Sequence, residues 1–129
     1  MAKVLIVENE HLIALSMEDS LISAGHTVVG IAATTAKALS IAEKWAPELA
    51  IVNVGLDNNE SGIEAARQLK QRQKLAVIFH TSKTDDATKA AALAVKPAAF
   101  LGKHTGREEF ARLVNAVLAA AQRQHGANS

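Results

Sequence analysis

Five short apolar runs recur along the chain, and each is followed by a segment whose apolar residues fall at helical spacing. The runs cover 4–7, 27–31, 49–54, 75–79 and 98–101. Unbroken apolar runs of this length suit strands buried on both faces, the condition of a parallel sheet covered by helices. Parallel neighbours need crossover connections, and these are right-handed. The pattern predicts an α/β domain with a doubly wound sheet of five parallel strands and five helices.

Helices are expected over 11–24, from Thr34 or Thr35 to Trp45, over 62–71, from Asp85-Asp86 towards Pro97, and over 107–122. Gly25 serves as a C-terminal stop, a threonine caps the second helix, Pro47 lies past its end and Pro97 ends the fourth. Leu12, Leu15, Leu21 and Ile22 set the spacing of the first helix. Phe110, Leu113, Val114, Val117 and Leu118 set the inner face of the last. The stretch GLDNNES at 55–61 is polar and turn-rich, hence a loop. The 129 residues suit one domain, taken as 1–122 with a frayed tail at 123–129 and no output domain.

Composition removes several classes of function. Lys plus Arg number 14 and Asp plus Glu 13, without the basic excess of a nucleic-acid binder. Cysteine is absent, so disulfides, thiol catalysis and Cys-based zinc sites are excluded. No apolar run approaches the roughly 20 residues of a membrane span, and the first lacks the form of a signal peptide. A cytoplasmic protein with no membrane contact is expected.

Open parallel sheets carry their sites at the carboxyl ends of the strands. Glu8, Asn9 and Glu10 follow the first run, Asn53 ends the third, His80, Thr81 and Ser82 follow the fourth, and Lys103 and His104 follow the fifth. Acids, amides, a hydroxyl and a lysine would thus converge on one rim. His80, His104 and Glu8 could also be read as a metal site, but no HxH or HxxxH spacing supports it. For His80 the plain alternative is a satisfied polar residue at a strand end. For Thr81 it is a cap or turn hydroxyl, and for Lys103 a surface lysine. His11, His26 and His125 are placed on the surface. Trp45 is taken as a core or edge packing residue.

The segments VLIVENE, AIVNV, VIFHTS and AFLGKH resemble the receiver domain of bacterial two-component response regulators, over about residues 3–120. The loop after Asn53 and the stretch GHTVVGIAAT are similar to receivers associated with one branch of alphaproteobacterial-type sensor kinases. The resemblance implies a flavodoxin-like receiver fold. It also implies an aspartate at the end of the third strand that takes a phosphoryl group from a kinase phosphohistidine, with Mg²⁺ held by acids after the first strand. On this pattern Glu8 and Asn9 match the acid pair and Asn53 the phosphoacceptor. Thr81 and Lys103 match the phosphoryl contacts, and Phe100 the switch aromatic. His104 stands where the family has proline.

Two departures set the functional reading. Asn53 is an amide and cannot form the acyl phosphate that a carboxylate nucleophile forms. Asn9 removes a second charge, and Mg²⁺ wants anionic oxygens. Of three carboxylates in the family pattern, Glu8 alone remains. No cofactor is therefore expected, and Mg²⁺ at most weakly. The leading expectation is a degenerate receiver, not an enzyme, that acts by binding a sensor histidine kinase, another signalling protein or a second copy of itself. The Ala-rich face of the fourth helix, fifth strand and fifth helix is the partner surface that the resemblance suggests. One alternative is a phosphorylatable regulator using Glu8 or Asp57, or an active receiver engineered from Asp to Asn. Another is a flavodoxin-like ligand carrier. It is opposed by Glu8-Asn9-Glu10 standing where a phosphate loop would be.

Overall fold

Val4, Leu5, Ile6 and Val7 are all fully buried, because their strand lies inside a sheet and faces a helical layer on each side. The structure is a computed structural model and describes residues 2–127. Its strands are β1 (Lys3–Val7), β2 (Thr27–Ala32), β3 (Leu49–Val52), β4 (Ala76–Thr81) and β5 (Ala99–Gly102). Its helices are α1 (His11–Ser23), α2 (Thr35–Trp45), α3 (Gly62–Arg72), α4 (Asp86–Leu93) and α5 (Arg107–Ala127). The sheet is parallel throughout, in the order β2-β1-β3-β4-β5. The expected doubly wound fold is therefore present.

Strand alternation sorts the core into two halves. Leu5, Val7, Ala50, Val52, Val77 and Phe79 face α2, α3 and α4. Val4, Ile6, Leu49, Ile51 and Ile78 face α1 and α5, where they meet Met17, Leu21, Phe110, Val114 and Leu118. Each large aliphatic or aromatic side chain so buried contributes about 1.5–3 kcal/mol of transfer free energy. The winding reverses between β1 and β3, and there the strand ends diverge into a crevice.

The helices refine the sequence reading at several points. In α1 the inner residues are Ala14, Met17, Ser20 and Leu21, while Leu12, Leu15 and Ile22 lie outward. The helix carries apolar residues on two sides, so spacing alone did not select its buried face. Of the two places expected for Trp45, core or edge, it takes the edge: it is 45% exposed at the end of α2, with the Lys44 ammonium 5.3 Å from its ring centroid. Helix α4 stops at Leu93, well before Pro97. Lys96 precedes that proline, adopts φ +60°, and lies outside the helical region that proline disfavours for its predecessor. The Lys70 ammonium donates to the carbonyls of Val95 at 2.9 Å and Lys96 at 2.6 Å, which satisfies the chain past this end. Finally, α5 continues to Ala127 past its expected end at Gln122. Asn128 and Ser129 of the expected tail lie outside the described residues.

Three helices are capped by their own flanking side chains, of which the Ser61 cap was not among the sequence expectations. Thr34 accepts from the Lys37 amide, Ser61 from Ile63 and Glu64, and Asp85 from Thr88. Two hydrogen bonds from Thr88 hold the Asp85 carboxyl below its ordinary range.

Candidate functional site

The crevice is built where backbone pairing runs just past the strand ends. The Asn53 amide N–H donates to the Val7 carbonyl and the Glu8 N–H to the Ala32 carbonyl, both at 2.8 Å. These bonds bring Glu8 and Asn53 side by side although 45 residues separate them. Both are buried, Glu8 at 2% and Asn53 at 7% exposure.

The Asn53 side-chain nitrogen donates to three oxygens: Gly55 O at 2.8 Å, Glu8 Oε2 at 2.9 Å and Asn9 Oδ1 at 3.2 Å. A carboxylate and a peptide carbonyl accept only, so the atom facing them is the NH₂ group. Glu8 Oε2 also accepts from the Glu10 N–H at 3.2 Å. The other oxygen, Glu8 Oε1, is buried without a hydrogen bond and lies 3.5 Å from the Lys103 ammonium. That ammonium donates at 2.5 Å to Glu10 Oε2, on a largely exposed side chain. Lys103 thus bridges Glu8 and Glu10. The sequence reading placed Glu10 on the rim but did not pair it with Lys103. Its signal was an acid two residues beyond Glu8, on the turn into α1.

Strands β4 and β5 supply the other wall. Thr81 is buried at the end of β4, with Gly102 opposite, and its hydroxyl accepts from the Lys83 N–H at 3.1 Å. It does the work of a turn hydroxyl. Phe100 is half-buried and packs obliquely on Phe79, ring centroids 6.3 Å apart. The structure therefore brings Glu8, Asn9, Asn53 and Lys103 into one cluster, with Thr81 and Phe100 on the adjoining strands. His104 is exposed. Among the described residues no group of three His, Cys, Asp or Glu side chains is placed to hold a metal ion.

His80 and His26 differ from expectation. His80 is 7% exposed in a groove between α1 and the start of α5, edge-on to Phe110 at 5.7 Å, and its Nδ1 has no partner. It is not the satisfied strand-end residue expected. Burial first, and the Lys103 charge second, lower its pKa from the ordinary 6.5. The folded state then binds fewer protons than the unfolded chain, so the His80 contribution to stability is full above 6.5 and is lost as pH falls below that value through the lower folded-state pKa. Chemical unfolding between about pH 7 and pH 5 should show this decline, and His80→Gln should flatten it. An equal slope in the variant would remove His80 as the source. His26 is partly buried and donates to Asn115 Oδ1 at 2.7 Å, tying the α1–β2 turn to α5.

The loop after Asn53 is ordered by its own contacts. Glu60 Oε1 accepts from the Thr35 N–H at 2.7 Å, and the Asp57 N–H donates to the Ala33 carbonyl at 3.1 Å. Asn58 and Asn59 both take positive φ, which asparagine tolerates.

The sheet order and the constellation at its carboxyl edge define the class, and the family model of the response regulator receiver domain matches residues 4–115. The chain belongs to that family, whose members are parts of two-component signalling systems. Over 81 residues it is 36% identical to the phyllosphere-induced regulator PhyR of Methylorubrum extorquens, covering 62% of this chain and 30% of that protein. The receiver domain of a modulated diguanylate cyclase from Desulfovibrio desulfuricans G20 superposes with a TM-score of 0.89 at 28% identity, over 96% of this chain and 98% of that one. A variant of the anti-anti-sigma factor PhyR from Bartonella quintana gives 0.79 at 28% identity, over 95% of this chain and 50% of that one. The chain thus spans about a third to a half of the PhyR chains it matches. Among the described residues no helix is long and apolar enough to cross a membrane.

Proposed function

We propose that this chain is a receiver-type signalling module that works by binding another protein and does not use aspartyl phosphorylation. The observation that carries the reading is the amide at position 53, whose nitrogen faces the acid pocket and hydrogen-bonds three oxygens there. An amide offers no carboxylate to attack phosphorus.

The other acids are poor substitutes. The Glu8 side chain is fully buried, with Oε2 already accepting twice and Oε1 beside Lys103. Asp57 is exposed and outside the cluster. The donor set also fits Mg²⁺ badly. One carboxylate, shared with an ammonium, falls short of the anionic oxygens the ion needs to shed water.

The binding partner in this reading is a sensor histidine kinase or another signalling protein, and a second copy of the chain is the further candidate. The surface offered is that of α4, β5 and α5, where Ala87, Ala90 and Ala91 are exposed and Leu93 is 52% exposed. The anti-anti-sigma designation of one PhyR relative also favours output through protein binding.

Intact mass after incubation with a small-molecule phosphodonor and Mg²⁺ tests the proposal. The chain should stay at its own mass, whereas an Asn9→Asp, Asn53→Asp variant should gain one phosphoryl group. Phosphoryl uptake by the unaltered chain would overturn the reading.

A further inference from the structure

Three oxygens converge on one atom in the crevice. A buried carboxylate, a side-chain amide oxygen and a peptide carbonyl lie 2.8 to 3.2 Å from Asn53 Nδ2. Carboxylate, amide and peptide oxygens together are the kinds of ligand that surround a hard cation. Here the atom at their focus is a neutral nitrogen with two protons.

We infer that the Asn53 amide takes the place of a cation, cross-linking the end of β1 to the turn after β3 so that the rim keeps its shape with no ion bound. The inference rests on the proposed reading that this rim does not use phosphoryl chemistry, and it adds how the rim is held.

Charge balance supports it. Lys103 stands on the Oε1 side of Glu8 and is committed to Glu10, while the amide serves the Oε2 side. One buried negative charge therefore meets one NH₂ group by hydrogen bond at Oε2 and one ammonium 3.5 Å from Oε1. A carboxylate at position 53 would reverse this. Its oxygen would meet Glu8 Oε2 and Gly55 O at the distances where the amide now donates. Two carboxylates in one buried pocket cannot both stay ionised unless a cation enters or a proton is retained. The amide also makes a cross-link that does not depend on ion concentration. The ends of β1 and β3, and with them the entries into α1 and α3, are held in one arrangement.

Thermal unfolding of the full chain in EDTA and in millimolar MgCl₂ tests this. The midpoint of the native chain should be the same in both. Asn53→Asp should melt lower in EDTA, by on the order of 5–10 °C, and recover most of that with Mg²⁺. A native chain that Mg²⁺ stabilises as much as the variant would overturn the inference. So would an Asn53→Asp variant that melts with the native chain and ignores the ion. Should Asn53→Asp not fold at all, the Glu8→Gln, Asn53→Asp pair keeps one negative charge in the pocket. Its folding in EDTA upholds charge balance as the cause, and its failure to fold refutes it. Intact mass of the same samples after phosphodonor treatment separates the two proposals. Phosphoryl uptake by a native chain indifferent to Mg²⁺ removes the proposed function alone. A Mg²⁺ shift without uptake removes this inference alone.

Discussion

Gly62→Ala is expected to unfold the domain or cost it most of its stability. A Cβ at Gly62 would lie 1.7 Å from the Asn53 carbonyl oxygen and 2.7 Å from its carbon, both backbone atoms that have no room to yield. The start of α3 would have to move away from the end of β3. That movement would break the 2.6 Å bond from the Gly62 N–H to the Val54 carbonyl. It would also lift Ala65, Ala66 and Leu69 from the core. The cost should be about 4–5 kcal/mol or more, at the far end of single-substitution effects. A domain of this size has about 5–15 kcal/mol in all. Urea unfolding checks it, with Gly55→Ala as control, since nothing lies within 4 Å of a Cβ there. Similar midpoints for the two variants would contradict the contact.

Phe79→Ala is the second large effect. Phe79 is the largest fully buried side chain, with no exposed area, on the sheet face under α2, α3 and α4. Truncating such a ring removes its transfer free energy and leaves a cavity, together about 3–5 kcal/mol. The melting temperature should fall by roughly 10–20 °C. Phe100→Ala should cost much less, because Phe100 is half-buried and only packs on the edge of that cluster. Equal losses would mean that Phe100 belongs to the core in full.

Much of the fold was legible because its signals are local. The β-branched run at Val4–Val7 needs burial on both faces wherever it lies. Thr34, Ser61 and Asp85 cap their helices through bonds that span two or three residues. Illegibility began where local signals were even. Helix α1 is apolar on two sides, so Leu12 at 80% exposure and Leu21 at 1% look alike in the sequence. The ends of β3, β4 and α4 shifted by two or more residues, because pairing with neighbours and the turn before Pro97 decided them.

The chemistry divides in the same way. An amide instead of a carboxylate at position 53, with Asn9 following Glu8, is a property of residue types and was readable in the chain itself. So was the presence of a lysine after the fifth strand. The direction of the amide was not, nor was the Gly55 carbonyl that receives it, since a backbone oxygen carries no residue signature. Lys103 pairs with Glu10 across 93 residues, and Asn53 meets Glu8 across 45. His80 is buried because α5 lays Phe110 against it. Residue type and short-range spacing determined the strands, the helices and the amide at position 53. The partners of each rim atom were decided only by tertiary structure, because they depend on which strand ends the parallel register brings together.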